Sequence, residues 1–163
     1  MNIVIVIFKT YLSNIVKSLD TERTNMNKKS PRHLARSLAI QGLYFHKLNN
    51  TNLDEIEDFL SKNCFAIYPI SNYELMHFLL DQGITKYGDM LKLYTPHLNR
   101  TIDEINLIEQ IILVIAAIEL TNNPSVPAPV IINESVELAK LYGAEESYKF
   151  INGLVDKLAR DLR

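Results

Sequence analysis

Positive charge is concentrated in a short segment near the beginning of the chain. Lys28, Lys29, Arg32, His33 and Arg36 fall within nine residues that contain no acidic side chain. If the segment is helical, Arg32 and Arg36 lie four residues apart and share one face. Because lysine and arginine neutralise phosphates, the segment is a candidate for contact with the backbone of a nucleic acid.

An amide and an aromatic residue, Gln41 and Tyr44, follow one or two helical turns later. Aromatic rings stack on the bases of single-stranded RNA while basic side chains hold its phosphates, so the combination fits an RNA-binding helix. It also fits a solvated helix start with Tyr44 in the core. The net charge of −2 argues against a strongly basic protein but permits a local basic patch.

A second candidate surface lies in the stretch GAEESYKFINGLVDKLAR, residues 143–160. Helical spacing predicts a core face formed by Ser147, Ile151, Leu154, Val155, Leu158 and Leu162. Gly153 falls on the opposite side, where it weakens a helix by roughly 1 kcal/mol relative to alanine. Phe150 falls on the flank. An aromatic ring near bare backbone indicates a docking surface; the alternative is a tolerated surface glycine and a half-buried phenylalanine.

The sequence favours a binding protein over an enzyme. It contains no glycine-rich phosphate loop and no GxSxG or HExxH motif, and its four histidines are scattered. The single cysteine, Cys64, cannot form an internal disulfide and is expected to be a buried, inert thiol. We therefore expect no catalytic residues, no metal and no cofactor, and a reducing, cytoplasmic location.

The pattern of apolar and helix-breaking residues predicts an all-α domain of six or seven helices. Ser30 and Pro31 have the residue types of a helix start. A long helical stretch from Ser71 to Pro96 is predicted to be kinked near Gly83 or Gly88. Residues 111–118 are apolar on every side, which indicates a central helix. The proline-rich segment 121–129 is predicted to be a loop.

The first 25 residues differ from the rest of the chain. Their apolar run, Ile3 to Phe8, is much shorter than the roughly 20 residues that span a bilayer. They also lack the features of a secretory signal. We expect residues 1–25 to be a disordered extension or the product of a misassigned start codon, and residues 26–163 to form the helical RNA-binding domain.

Two segments resemble the NusB family of bacterial transcription antitermination factors: RHLARSLAIQGLY, residues 32–44, and VPAPVIINESVELAKLYGAEESYKFINGLVDK, residues 126–157. The resemblance implies a compact bundle of two packed three-helix units. It implies binding to the boxA element of nascent ribosomal RNA together with NusE, a protein of the small ribosomal subunit. It further implies assembly with NusA, NusG and RNA polymerase, no membrane, and leaves a homodimer open.

Carried over by position, the resemblance implies an RNA-binding face made of Arg32, His33, Arg36, Gln41, Tyr44, Glu146, Ser147, Lys149, Phe150 and Asn152. The family often begins its first helix with three arginines, where this chain has Arg32, His33 and Leu34, which predicts weaker RNA affinity. Two alternatives stay open. One is the related helical module of ribosomal RNA cytosine methyltransferases, and the other is a protein-interaction bundle without RNA contact.

Overall fold

The structure is a computed structural model that describes residues 29–64 and 68–163, and every regular element within these ranges is helical. The α-helices are α1 (Pro31–Asn49), α2 (Leu53–Asn63), α3 (Tyr73–Thr85), α4 (Tyr87–Lys92), α5 (Leu107–Asn122), α6 (Ala128–Tyr142) and α7 (Ser147–Leu162). Short 3-10 turns cover Tyr68–Ile70, Thr95–His97 and Ile102–Glu104. The predicted all-α architecture is confirmed, whereas residues 1–25 and Lys28 lie outside the described ranges.

Side-chain caps define where several helices begin. The Ser30 hydroxyl accepts a hydrogen bond from the backbone N–H of His33 at 3.1 Å, with Pro31 in the first turn, as the sequence predicts. Asn72 and Asn106 cap α3 and α5 in the same way. Each such cap contributes about 1 kcal/mol by satisfying a helix N–H that has no partner within the helix.

The predicted long stretch from residue 71 to 96 is two helices rather than one. α3 ends at Thr85 and α4 begins at Tyr87, so the break falls at Lys86, between Gly83 and Gly88, close to where the sequence predicts a kink. Gly83 lies within α3, where it serves packing instead of a bend.

The helices form two groups that meet along α5, the most apolar helix. α1, α2 and α3 pack together, and α5, α6 and α7 form the second group. α1 and α3 both contact α5, whose residues 111–120 are buried on every side, as predicted. No helix in the described ranges is long and apolar enough to cross a membrane.

Two glycines allow α1 and α3 to approach closely. A Cβ on Gly42 would lie 2.6 Å from Leu80 Cδ2, and a Cβ on Gly83 would lie 2.6 Å from Leu43 Cδ1. Each glycine of one helix thus accommodates a leucine of the other. This reciprocal contact brings the two backbones together at the centre of the first three-helix group.

A buried charge cluster, formed by His33, Arg36, Glu119 and Glu134, connects α1 with α5 and α6. Arg36 donates through Nε and Nη2 to both carboxylate oxygens of Glu119, each at 2.7 Å. The Arg36 and Glu119 side chains are only 3% and 1% exposed. Glu134 Oε2 lies 2.9 Å from His33 Nδ1 and 3.5 Å from Arg36 Nη1. Glu134 is thus the carboxylate partner of the two remaining nitrogen atoms of α1 in this cluster, His33 Nδ1 and Arg36 Nη1.

Within this cluster, the pKa values of Arg36 and Glu134 are shifted toward their ionised forms. Burial tends to lower the pKa of Arg36, but the hydrogen bond and charge of Glu119 and the nearby Glu134 raise it above its ordinary value. Burial also tends to raise the pKa of Glu134, and the hydrogen bond from His33 with the charges of His33, Arg36 and Lys29 lowers it overall. The folded protein therefore favours the Glu134 carboxylate.

The last residue, Arg163, connects the end of α7 to the end of α5. Its guanidinium donates to the backbone carbonyls of Glu119 at 2.9 Å and of Leu120 and Asn123 at 3.0 Å. These carbonyls lie at the C-terminal end of α5, where a cation is favoured by the helix dipole.

Adding a methyl group at two different glycines is expected to have opposite effects. A Cβ on Gly153 would meet nothing within 4 Å, so Gly153→Ala should stabilise the protein by roughly 0.5–1 kcal/mol through helix propensity. Gly42→Ala should destabilise it, because overpacking typically costs about 1–3 kcal/mol and exceeds that gain. Urea unfolding of both variants checks this; a stabilised Gly42→Ala would contradict the close contact with Leu80.

Glu134→Gln is expected to change how stability depends on pH. The folded-state pKa of Glu134 lies below its ordinary value of 4.5, so the ionised carboxylate stabilises the fold above that pH. This contribution is lost as the pH falls through the folded-state pKa. At pH 7 the variant should be less stable by about 1 kcal/mol, the difference between a charged and a neutral hydrogen bond.

The difference between Glu134→Gln and the wild type should shrink as the pH falls through the folded-state pKa of Glu134, which urea unfolding at pH 7 and at a series of acidic pH values measures. Glu137→Gln is the matched control, because Glu137 makes only partly exposed pairs with Lys29 at 3.9 Å and Lys140 at 3.4 Å. Its effect should stay within about 0.5 kcal/mol. A Glu134→Gln difference that stays unchanged across the acidic pH series would show that the side chain acts through packing.

Candidate nucleic-acid interface

The basic start of α1 divides into one exposed cation and two buried groups. Arg32 is exposed, whereas His33 and Arg36 are 4% and 2% exposed and belong to the buried charge cluster. Arg36 comes one turn after Arg32, where α1 is buried, and its guanidinium donates two hydrogen bonds to the Glu119 carboxylate. The sequence did not reveal this burial. Direct RNA contact by His33 and Arg36 stays a prediction, and in this structure both have carboxylate partners.

Gln41 is also turned inward, into a chain of polar side chains between α1, α2 and α6. Its Nε2 donates to the Tyr142 hydroxyl at 2.9 Å, and the Cys64 thiol donates to its Oε1 at 3.2 Å. Ser37 hydrogen-bonds the same tyrosine hydroxyl. Burial raises the pKa of Cys64 to about 12, so the thiol stays protonated near neutral pH. Tyr44, one turn further along α1, is half-buried and packs against the core.

The start of α7 presents a mixed surface. Glu146 and Lys149 are exposed and form an ion pair at 2.7 Å, and Asn152 is exposed one turn later. Ser147 is buried. Its hydroxyl accepts from the backbone N–H of Ala144 at 3.1 Å and donates to Glu109 at 2.7 Å. Ser147 therefore anchors the start of α7 to α5, and its contact with RNA stays a prediction.

Phe150 lies at the edge of the core, as its position on the helix predicts. The ring is half-buried and packs against the core, while the Arg100 guanidinium carbon lies 4.2 Å from the ring centroid. Gly153 is exposed, with open space around the position of a Cβ. The expected patch of bare backbone near Phe150 is thus present. Leu162, predicted to lie on the core face, is 41% exposed at the end of the helix.

Three residues near these surfaces are not marked by any pattern in the sequence: Tyr142, Tyr148 and Arg100. Tyr142 holds Gln41, and Tyr148 has Lys140 Nζ and Lys149 Nζ at 5.4 Å and 5.9 Å from its ring centroid. Arg100 comes from the segment between two 3-10 turns, far from Phe150 along the chain. No local pattern marks Arg100, because its neighbour is provided only by the fold.

The structure brings Glu146, Lys149, Phe150 and Asn152 together within two turns of α7. Arg32 belongs to a separate part of the surface, at the start of α1. α6 contacts α1 at two points, through the hydrogen bonds of Glu134 with His33 and of Tyr142 with Gln41. Among the described residues, no group of three or more His, Cys, Asp or Glu side chains is placed to bind a metal ion.

Comparisons with known proteins agree with this architecture. A family model described as the NusB family matches residues 33–160. The transcription antitermination protein NusB of Burkholderia vietnamiensis is 40% identical over 136 residues, which cover 83% of this chain and 92% of that protein. The NusB protein of Burkholderia ambifaria has the same identity and coverage.

A solved structure of T. maritima NusB has the same fold, with a TM-score of 0.66 and 22% sequence identity. The similarity covers 82% of this chain and 93% of that one. At this identity the solved structure supports the fold alone, and the family assignment depends on the sequence matches. Since the family model covers most of the described residues and the Burkholderia proteins are 40% identical, the chain belongs to the NusB family.

Proposed function

We propose that this protein is a transcription antitermination factor that binds the boxA element of nascent ribosomal RNA together with NusE. Membership of the NusB family is the observation that carries the proposal, since the Burkholderia relatives are named transcription antitermination proteins. The protein acts in the cytoplasm, in a complex with NusA, NusG and RNA polymerase, and requires no cofactor or catalytic residue.

The exposed residues have the chemistry that single-stranded RNA requires. Arg32 makes no ion pair with any described residue, so its guanidinium is available to a phosphate. Lys149 is paired with Glu146, but their side chains are 63% and 68% exposed. Such an exposed pair contributes at most about 1 kcal/mol, so RNA phosphate can replace the carboxylate. Asn152 supplies an amide that can hydrogen-bond a base, and the surface next to Phe150 is a place where a base can stack.

The number of available cations supports a role for NusE in binding. Arg36 is enclosed by Glu119 and Glu134, which leaves Arg32 and Lys149 as the exposed cations of the implied face. Few phosphate contacts give weak binding that depends little on salt. A second protein that contacts the same RNA raises the affinity of the complex without adding contacts to this chain.

Filter binding tests the proposed function directly. The wild-type protein should retain a boxA oligonucleotide better than a scrambled one, and the preference should increase when NusE is present. Equal retention of both oligonucleotides, with and without NusE, would contradict the proposal. NusE binding without any RNA retention would indicate the alternative, a protein-interaction bundle.

Two arginines one turn apart in α1 are expected to separate binding from stability. Arg32→Ala should weaken RNA binding and lower the slope of log affinity against log salt by about 0.7, the value for one phosphate contact to a single strand. Its free energy of unfolding should change by no more than about 0.5 kcal/mol, because the residue is exposed. Salt titrations of binding and urea unfolding on the same preparation measure both effects.

Arg36→Met should do the reverse. Removing the guanidinium leaves the buried Glu119 carboxylate without its partner and should destabilise the protein by about 3–5 kcal/mol. The salt slope of the folded fraction should equal that of the wild type. A stable Arg36→Met variant with a reduced slope would show that Arg36 contacts RNA and that the buried charge cluster opens when RNA binds.

A further inference from the structure

Arg100 and Phe150 form one layered unit on the surface next to the start of α7. The Arg100 guanidinium carbon lies 4.2 Å above the centroid of the Phe150 ring. Phe150 packs against the core, so the guanidinium covers a ring that is already partly enclosed. The Arg100 side chain is 36% exposed. A molecule that approaches this part of the surface therefore meets the guanidinium before it meets the ring.

Several contacts hold Arg100 in this position. Next to it, the backbone N–H and the hydroxyl of Thr101 donate to Glu104 at 2.7 Å and 2.9 Å, which fixes the local backbone. Glu109 Oε2 lies 3.9 Å from Arg100 Nη2. The side chain is thus placed by its own turn and attracted by a carboxylate of α5.

Glu109 is itself held in place from two sides. Its backbone N–H donates to the Asn106 side chain at 2.9 Å, and its carboxylate accepts from Ser147 at 2.7 Å. Only 9% of its side chain is exposed. A buried, fixed carboxylate beside Arg100 and a ring beneath it orient the guanidinium before any ligand binds.

We infer that a base of the bound RNA stacks on the Arg100 guanidinium, with Phe150 as the supporting layer beneath it. The inference rests on the proposed function and names a residue of the RNA face that family resemblance did not assign. Guanidinium planes, like aromatic rings, are surfaces on which unpaired RNA bases stack. In this arrangement Phe150 contributes to RNA binding by supporting the planar guanidinium from below, and the base does not contact the ring.

Arg100→Lys tests the inference, because lysine keeps the positive charge but lacks a planar group. The Kd for boxA RNA should rise about 5- to 150-fold, the range for loss of one base-stacking contact. The salt slope should stay close to that of the wild type. Arg160→Lys is the matched control, since Arg160 is an exposed arginine of the same helix as Phe150, 77% exposed and paired with Asp156 at 2.8 Å. It should bind as the wild type does.

Phe150→Leu adds a second test, because leucine keeps apolar packing but removes the flat ring. Its Kd should rise to a similar extent, and the double variant Arg100→Lys with Phe150→Leu should bind no more weakly than the weaker single variant. Non-additive effects are expected when two residues act as one unit. Urea unfolding of each variant separates a loss of folded protein from a loss of affinity.

Three outcomes would overturn the inference. Wild-type affinity of Arg100→Lys together with weak binding of Phe150→Leu would place the base on the ring itself. Additive effects in the double variant would show two independent contacts. Failure of the wild-type protein to bind boxA RNA, with or without NusE, would overturn both the inference and the proposed function, whereas the first two outcomes leave the proposed function intact.

Discussion

The ion pair between Arg36 and Glu119 is the interaction that constrains the rest of the structure. Both side chains are buried, and removing their charges from water is costly. Two short hydrogen bonds and a second carboxylate, Glu134, offset that cost. The pair therefore permits one rotation of α1 against α5. With that rotation set, Gln41 meets Tyr142 on α6. The first helix is thus held by specific polar contacts as well as by apolar packing.

Apolar packing and polar contacts have different roles in the two helix groups. In the first group, Gly42 and Gly83 let α1 and α3 approach until leucines of each helix fill the space opposite the glycine of the other. In the second group, α7 is positioned by hydrogen bonds at its two ends, Ser147 to Glu109 and Arg163 to the carbonyls of α5. Both ends of α7 are hydrogen-bonded to α5, so the exposed side of α7 has a defined orientation.

Under the proposed function, this orientation determines which groups an RNA strand can reach. Arg32 and Lys149 are on the outside, whereas Arg36 is inside, so the positive charge of the sequence overstates the positive charge of the surface. The same rigid frame brings Arg100 over Phe150 and so combines a cation and a ring in one exposed feature. This combination of few exposed cations and a planar guanidinium over a ring is the basis on which we propose recognition of unpaired bases with help from a partner protein.

The sequence by itself determined the helical class, the capped start at Ser30, the buried central helix and the position of Phe150 at the edge of the core, because these follow from residues close together in the chain. The NusB-family motifs, residues 32–44 and 126–157, are likewise stretches of consecutive residues and can be read from the sequence alone. Burial of Arg36 and the stacking of Arg100 were decided by tertiary structure alone. Periodicity shows which residues share a face of a helix, but not whether that face meets water or a carboxylate from a distant helix. For Arg36 that carboxylate is Glu119, 83 residues away along the chain.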